Sequence, residues 1–241
     1  MFELQIIAQK LESLEETILH KLFDRAQFGL NPPAYQPEMS GFPKHNDMSL
    51  LEIRLRMQEE IDARFGRYTV PEEQPFHNDL PAPQREGAFD QWQLPNMDFS
   101  VISQCNSIMK DYLELLPEIC RHLDDGHYGS AVEHDVFSLQ AIARRIHYGA
   151  IYVAESKYQA DPKCFRTLIQ KKDTDALMQT ITREEVEERI LRRVKEKTTQ
   201  LQAQVNKNIR NCVNPDRAAL FYKETVIPLT KQGEIQYLLH R

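Results

Sequence analysis

Glycine is scarce, with 8 residues in 241, and no stretch alternates apolar with polar side chains as a half-buried strand does. A sheet is therefore not expected. Cysteine is scarce as well: Cys105, Cys120, Cys164 and Cys212 are far apart and form no CxxC pair. That usage argues against a disulfide framework or a thiolate metal site and for four reduced thiols in a cytoplasmic protein. No apolar run approaches the ~20 residues of a membrane span. The N-terminal stretch is amphipathic and acidic throughout, without a basic n-region or a small-residue cleavage site, and so reads as neither a signal nor a transit peptide. Charge of one sign is also missing. The 36 acidic and 30 basic residues leave a net charge of -6, which sets aside a general nucleic-acid binder but not a local basic pocket.

What is present is a helical pattern in an ordinary globular composition, 41% hydrophobic and 27% charged, which argues against long disorder. Ile6, Ile7, Leu11, Leu14, Ile18 and Leu22 recur at three- and four-residue spacing and predict a first helix over 3–28. Ser49 and Glu52 form a capping-box signature ahead of Ile53, Leu55, Met57, Ile61 and Phe65, which predicts a second helix to residue 66. Nine of the 13 prolines fall between Pro32 and Pro95 and mark connections over 29–47 and 69–97. Asp98 is read as the cap of a third helix reaching Leu115. A long helix comes next over 129–160, then short ones over 163–171 and 174–180. Thr182 and Glu185 read as a second capping box, opening a charged helix that runs past residue 205. The last helix spans 215–240, with Pro228 expected to kink or split it. The predicted fold class is all-α, one domain over 1–241 without an internal repeat.

Polar residues on faces that ought to be apolar are the informative ones. Arg144, Arg145 and His147 sit inside the long helix, and Lys157 lies further along it. Arg183 and Glu187 are i, i+4 on the next long helix, and Thr230 and Glu234 are i, i+4 on the last, so each pair shares a face. By spacing alone these are solvated surfaces carrying ion pairs worth ~0.3–0.5 kcal/mol each. The strings say more. LQAIARRIHYGAIYVAESKYQAD, LIQKKDTDALMQTITREEVEERILRRV and FYKETVIPLTKQGEIQYLL resemble the all-α chorismate mutases, most nearly the larger eukaryotic-type branch. The similarity covers residues 129–241 in order. It reaches the front more weakly, through LESLEETILHKLFDRAQF and RYTVPEEQPFHND.

The resemblance implies an isomerase that converts chorismate to prephenate in phenylalanine and tyrosine biosynthesis. The reaction is an intramolecular sigmatropic rearrangement with no cofactor, no metal and no covalent intermediate. Such an enzyme must fold the enolpyruvyl arm over the ring and stabilise charge building on the ether oxygen. By position, Arg145 corresponds to the arginine that grips a carboxylate, a task suited to its two-pronged fork. Lys157 corresponds to the lysine reaching the ether oxygen and a carboxylate, and Glu187 to the glutamate accepting from the ring hydroxyl. Glu234 corresponds to the glutamate facing the ether oxygen, a role that needs a protonated carboxyl. Val153 would be an apolar wall and Thr230 a further lining residue. The resemblance also implies a homodimer, with catalytic helices over 1–28 and 131–241. A regulatory half over 29–130 would bind an aromatic amino acid through Arg67, Gly129 and Ser130.

Some positions depart from the family pattern. Arg145 and Lys157 are 12 residues apart where the family has 11, and at ~100° per residue the extra one would swing Lys157 off the shared face. A π-bulge near Gly149 would absorb it. Ala8 occupies the place of the family's first-helix arginine, and Lys10 lies on the other side of that helix. Arg183 stands where a small polar residue is usual, and either supplies the missing cation or pairs with Glu187. At the regulatory positions Gly66, Gly126 and His127 replace family residues, so Gly129 and Ser130 also read as a plain helix start. His127 and His134 read as a solvated helix start rather than a metal site, and His147 as a core residue. The departures leave a second reading, a weak or inactive relative that serves as a ligand-binding or interaction subunit. A third is a helical scaffold using its charged helix 182–205.

Overall fold

A computed structural model describes residues 4–85, 94–207 and 210–241. Residue 3 of the first predicted helix and residues 86–93 of the second proline-rich connection lie outside them. The helices are α1 (Leu4–Arg25), α2 (Leu50–Arg64), α3 (Cys105–Ile119), α4 (Tyr128–Tyr148), α5 (Ala154–Ala160), α6 (Pro162–Lys171), α7 (Thr174–Ile181), α8 (Glu184–Ala203), α9 (Pro215–Phe221) and α10 (Ile227–His240). Among the described residues no strand forms, and only an isolated bridge joins Gly29 to Arg121.

The helix starts obey local chemistry, with two corrections. At α2 the capping box forms: Ser49 Oγ accepts from Glu52 N–H, and the Glu52 carboxylate accepts from Ser49 N–H at 2.7 Å. The box expected at Thr182 does not form. Thr182 Oγ1 donates to Met178 O at 2.8 Å, closing α7, so α8 starts after an Arg183 that offers no side-chain cap. The helix also ends at Ala203 rather than running past residue 205. Asp98 does cap, but the helix it caps is a single 3-10 turn (Phe99–Ile102). Extended Ser103 breaks the helix there, and α3 begins only at Cys105.

The long helix expected over 129–160 consists of α4 and α5 joined by a π-turn (Gly149–Val153). A π-turn holds one residue more than an α-turn, so it takes up the extra residue and keeps α5 in register with α4. A second π-turn (Tyr222–Val226) joins α9 to α10 and leaves Pro228 in the first turn of α10. There its missing N–H and bulky ring meet a widened turn instead of a regular ladder.

Packing is organised around α4. Helices α1, α2 and α3 lie against it, and α10 crosses the π-turn at its C-terminal end. The crossing is close because Gly233 faces Ala150: a Cβ at Gly233 would stand 2.6 Å from that of Ala150. One cluster of buried side chains gathers Ile18, Leu22, Tyr112, Val136 and Ile142, and a second gathers Ile7, Ile102, Ile151, Leu177 and Tyr237. A buried polar knot ties the first together. Asp135 of α4 accepts from Arg25 Nε at 2.5 Å and from the hydroxyls of Tyr35 and Tyr112, each at 2.8 Å. Helix α2 departs from a single apolar face. Leu51, Ile53 and Leu55 are buried, but Met57, Ile61 and Phe65 form an i, i+4, i+8 stripe open to solvent, with Phe65 80% exposed.

Candidate active site

A cavity of about 450 Å³ opens between α1, the end of α4, α5, the start of α8 and α10. Arg145, Val153, Lys157, Arg183, Glu187, Thr230 and Glu234 all line it. Arg67, Gly129 and Ser130 are not part of its lining.

Arg145 is the last arginine of α4 before the π-turn and is 3% exposed. Its Nη1 donates to Thr230 Oγ1 at 3.3 Å, while that hydroxyl donates in turn to Val226 O at 2.6 Å. Its Nε is buried and makes no hydrogen bond among the described residues. Burial lowers its pKa, but a guanidinium starts so high that it stays charged. Gly149 makes room for this arrangement, since a Cβ there would lie 2.7 Å from Thr230 Cγ2 and 3.2 Å from Arg145 Nη1. The adjacent Arg144 points elsewhere and pairs with Glu73 at 3.1 Å.

Lys157 is brought back to the cavity by the π-turn, as that feature was expected to do. Its Nζ donates to Glu234 Oε2 and to Ile181 O, each at 2.8 Å. Glu155, two residues earlier, fixes the register of α5. Its carboxylate accepts from Tyr237 at 2.7 Å and from two nitrogens of Arg241 at 2.6 and 2.9 Å. With Lys157 on the cavity wall, a swung-away lysine no longer supports the inactive-relative reading.

Glu234 is 4% exposed. Burial pushes its carboxyl above the ordinary range, against the opposing pull of Lys157, Arg145 and Lys231. Glu187 does not pair with Arg183. Its partner is Lys231 of α10, at 2.9 Å. His147 is a core residue, as expected: its Nε2 accepts from Gln104 N–H at 2.9 Å, and burial lowers its pKa to about 3. His127 and His134 both pack against the ring of Phe28.

Sequence reasoning missed Lys231 and Arg189, which also line the cavity. Lys231 had a legible signal, lying three residues before Glu234 on the same helical face. Arg189 lies in a charged run in which Glu185 offers an ordinary surface partner, and nothing in the spacing marks it out. On α1 the wall is Leu4, Ile7, Ala8 and Leu11, so among the described residues no cation lines the cavity from that side, while Lys10 lies outside the lining.

No protein-family model matches the chain. Whole-length relatives are nevertheless clear. The chain is 35% identical over 255 residues to chorismate mutase 2 of Arabidopsis thaliana, covering 100% of this chain and 94% of the relative. It is 34% identical over 250 residues to the cytosolic chorismate mutase 2 of Zea mays, covering 99% and 95%. Among solved structures, the Candida albicans chorismate mutase in complex with L-Trp matches with a TM-score of 0.88 at 34% identity, covering 99% of this chain and 91% of that one. With more than 30% identity along its whole length to these relatives, the chain belongs to the all-α, eukaryotic-type chorismate mutase family.

Proposed function

We propose that the protein isomerises chorismate to prephenate in this cavity, with Arg145, Lys157, Glu187 and Glu234 as the catalytic residues and Val153, Arg183 and Thr230 binding substrate. The observation that carries the reading is the convergence of all seven on one space despite the 12-residue spacing of Arg145 and Lys157. The substrate is a dianion, and the walls carry five basic side chains against two acidic ones, Glu187 and Glu234. Arg145 grips one carboxylate from the floor and so orients the enolpyruvyl arm over the ring. Lys157 and a protonated Glu234 donate to the ether oxygen as negative charge builds there, stabilisation that is fixed before the reaction starts. Glu187 accepts from the ring hydroxyl. No proton is transferred and no cofactor takes part. Incubating purified protein with chorismate and following its absorbance tests the reading: loss must exceed the spontaneous rate, and an unaccelerated reaction overturns it.

Glu234 makes the activity pH-dependent. Burial holds its carboxyl above the ordinary range, and the active form is the protonated one. Activity is therefore present below the raised pKa and lost as pH rises through it, and a bound dianion raises that pKa further. The expected kcat/KM declines toward tenfold per pH unit on the alkaline limb, whereas Glu234→Gln, a donor at every pH, gives a flat profile from pH 5 to 8. A Gln variant that keeps the parent decline would assign the titration to another group.

The protein acts as a homodimer, a reading supported by the stripe of Met57, Ile61 and Phe65 on α2. Phe65→Asp with Ile61→Asp should shift sedimentation at micromolar concentration from dimer to monomer. A parent that is already monomeric overturns the pairing. Arg67, Gly129 and Ser130 belong to an effector site for an aromatic amino acid, within a regulatory half over 29–130 of a single domain. Arg67 holds Glu73 at 2.9 Å and Asp62 at 3.0 Å, and Glu73 also holds Arg144, the neighbour of Arg145. An amino-acid carboxylate competing for Arg67 would therefore be felt at the end of α4. Among the described residues no helix is long and apolar enough to cross a membrane. The four free cysteines favour a cytoplasmic setting.

A further inference from the structure

Three of the five cations around the cavity are already engaged. Lys157 is held by Glu234, Lys231 by Glu187, and Arg145 is buried against Thr230. The other two, Arg183 and Arg189, stand on α8 with no ion pair or side-chain hydrogen bond among the described residues. Each has a carboxylate at the spacing where helix ion pairs form, Glu187 for Arg183 and Glu185 for Arg189, and neither uses it. Both line the cavity instead, whose α1 lining of Leu4, Ile7, Ala8 and Leu11 is uncharged. Among the described residues, a dicarboxylate with one end on Arg145 meets free positive charge for its other end only on α8.

We propose that Arg189, together with Arg183, binds the second carboxylate of the substrate. The proposal rests on the assignment of chorismate as substrate. It makes α8 rather than α1 the source of the second anion contact, and it makes Arg189 a substrate-binding residue of this chain. Because Arg189 is exposed and unpaired in the free protein, its loss does not disturb the fold.

The test is steady-state kinetics with chorismate on the full chain, comparing the parent with Arg189→Gln, Arg183→Gln, the double variant and Arg192→Gln. Arg192 is exposed on the same helix outside the cavity, so its substitution makes the same change in charge without the contact. A partly solvated charge-assisted hydrogen bond lost from substrate binding predicts a KM raised about 10-fold by Arg189→Gln, with kcat changed less than about 3-fold. The double variant should exceed either single one, and Arg192→Gln should match the parent. An unchanged KM in Arg189→Gln overturns the proposal, as does an equal rise in Arg192→Gln, which would reduce the effect to long-range charge. Calorimetric binding of a cyclic dicarboxylate and of its monocarboxylate analogue separates this failure from that of the substrate assignment. The parent should prefer the dicarboxylate and Arg189→Gln should lose the preference, whether or not chorismate is turned over. Equal preference in both proteins overturns the role of Arg189.

Discussion

Arg145→Ala should lower kcat/KM by about a hundred- to a few-thousand-fold, while Arg144→Ala should cost less than about 5-fold. The two are neighbours on α4, and their side chains leave the helix ~100° apart. Arg145 is 3% exposed and lines the cavity. Removing one partner of a buried, hydrogen-bonded charge pair costs about 3–5 kcal/mol, and here the pair forms when the substrate carboxylate arrives. Arg144 has a side chain 37% exposed and holds only Glu73, an ion pair of the kind worth about 1 kcal/mol or less. Arg145→Lys should recover part of the loss, since it restores charge without the two-pronged geometry. Steady-state kinetics on folded variants, checked by circular dichroism, decide the matter. A larger loss in Arg144→Ala would mean that the helix presents the other arginine to the substrate.

Asp135→Ala should destabilise the fold by about 3–5 kcal/mol while leaving the cavity residues in place. Asp135 is fully buried and neutralises Arg25, which is equally buried. It also accepts from Tyr35 and Tyr112, so one carboxylate joins α1, the first proline-rich connection, α3 and α4. Its removal leaves a guanidinium without a counter-charge and two hydroxyls without an acceptor in a region closed to water. At about 2–4 °C per kcal/mol for a chain of this size, Tm should fall by roughly 10 °C. Asp135→Asn keeps an acceptor and should fall less, though still well below the parent. A Tm within about 2 °C of the parent for Asp135→Ala would show that the knot contributes specificity rather than stability.

The helical scaffold was legible because its signals are local. The capping box at Ser49, the three- and four-residue spacing of α1 and the extra residue before Lys157 are all short-range properties of the chain. The last of these shows how far such reading goes: a count of 12 against 11 located a π-turn to within a few residues. Where local reading failed, a competing contact won. Thr182 had a capping partner in sequence, but its hydroxyl reached back to Met178 O and closed the preceding helix. In α2, hydrophobic spacing placed Ile53, Leu55, Met57, Ile61 and Phe65 on one helix, yet of these only Ile53 and Leu55 are buried.

The helical class, the family and seven of the polar and apolar residues that line the cavity were readable along the chain, while Lys231 and Arg189 were missed. Helix periodicity, caps and motif order are written within a few turns, where geometry is fixed by bond lengths and hydrogen-bond rings. The charge state and pairing of those residues were not, and they emerge only when the helices pack. Lys157 meets Glu234 across 77 residues of chain and Glu187 meets Lys231 across 44, which leaves Arg183 without the carboxylate four residues along its own helix. Ion pairing and desolvation depend on which groups are within a few ångströms and on how much water is excluded, and helix packing sets both.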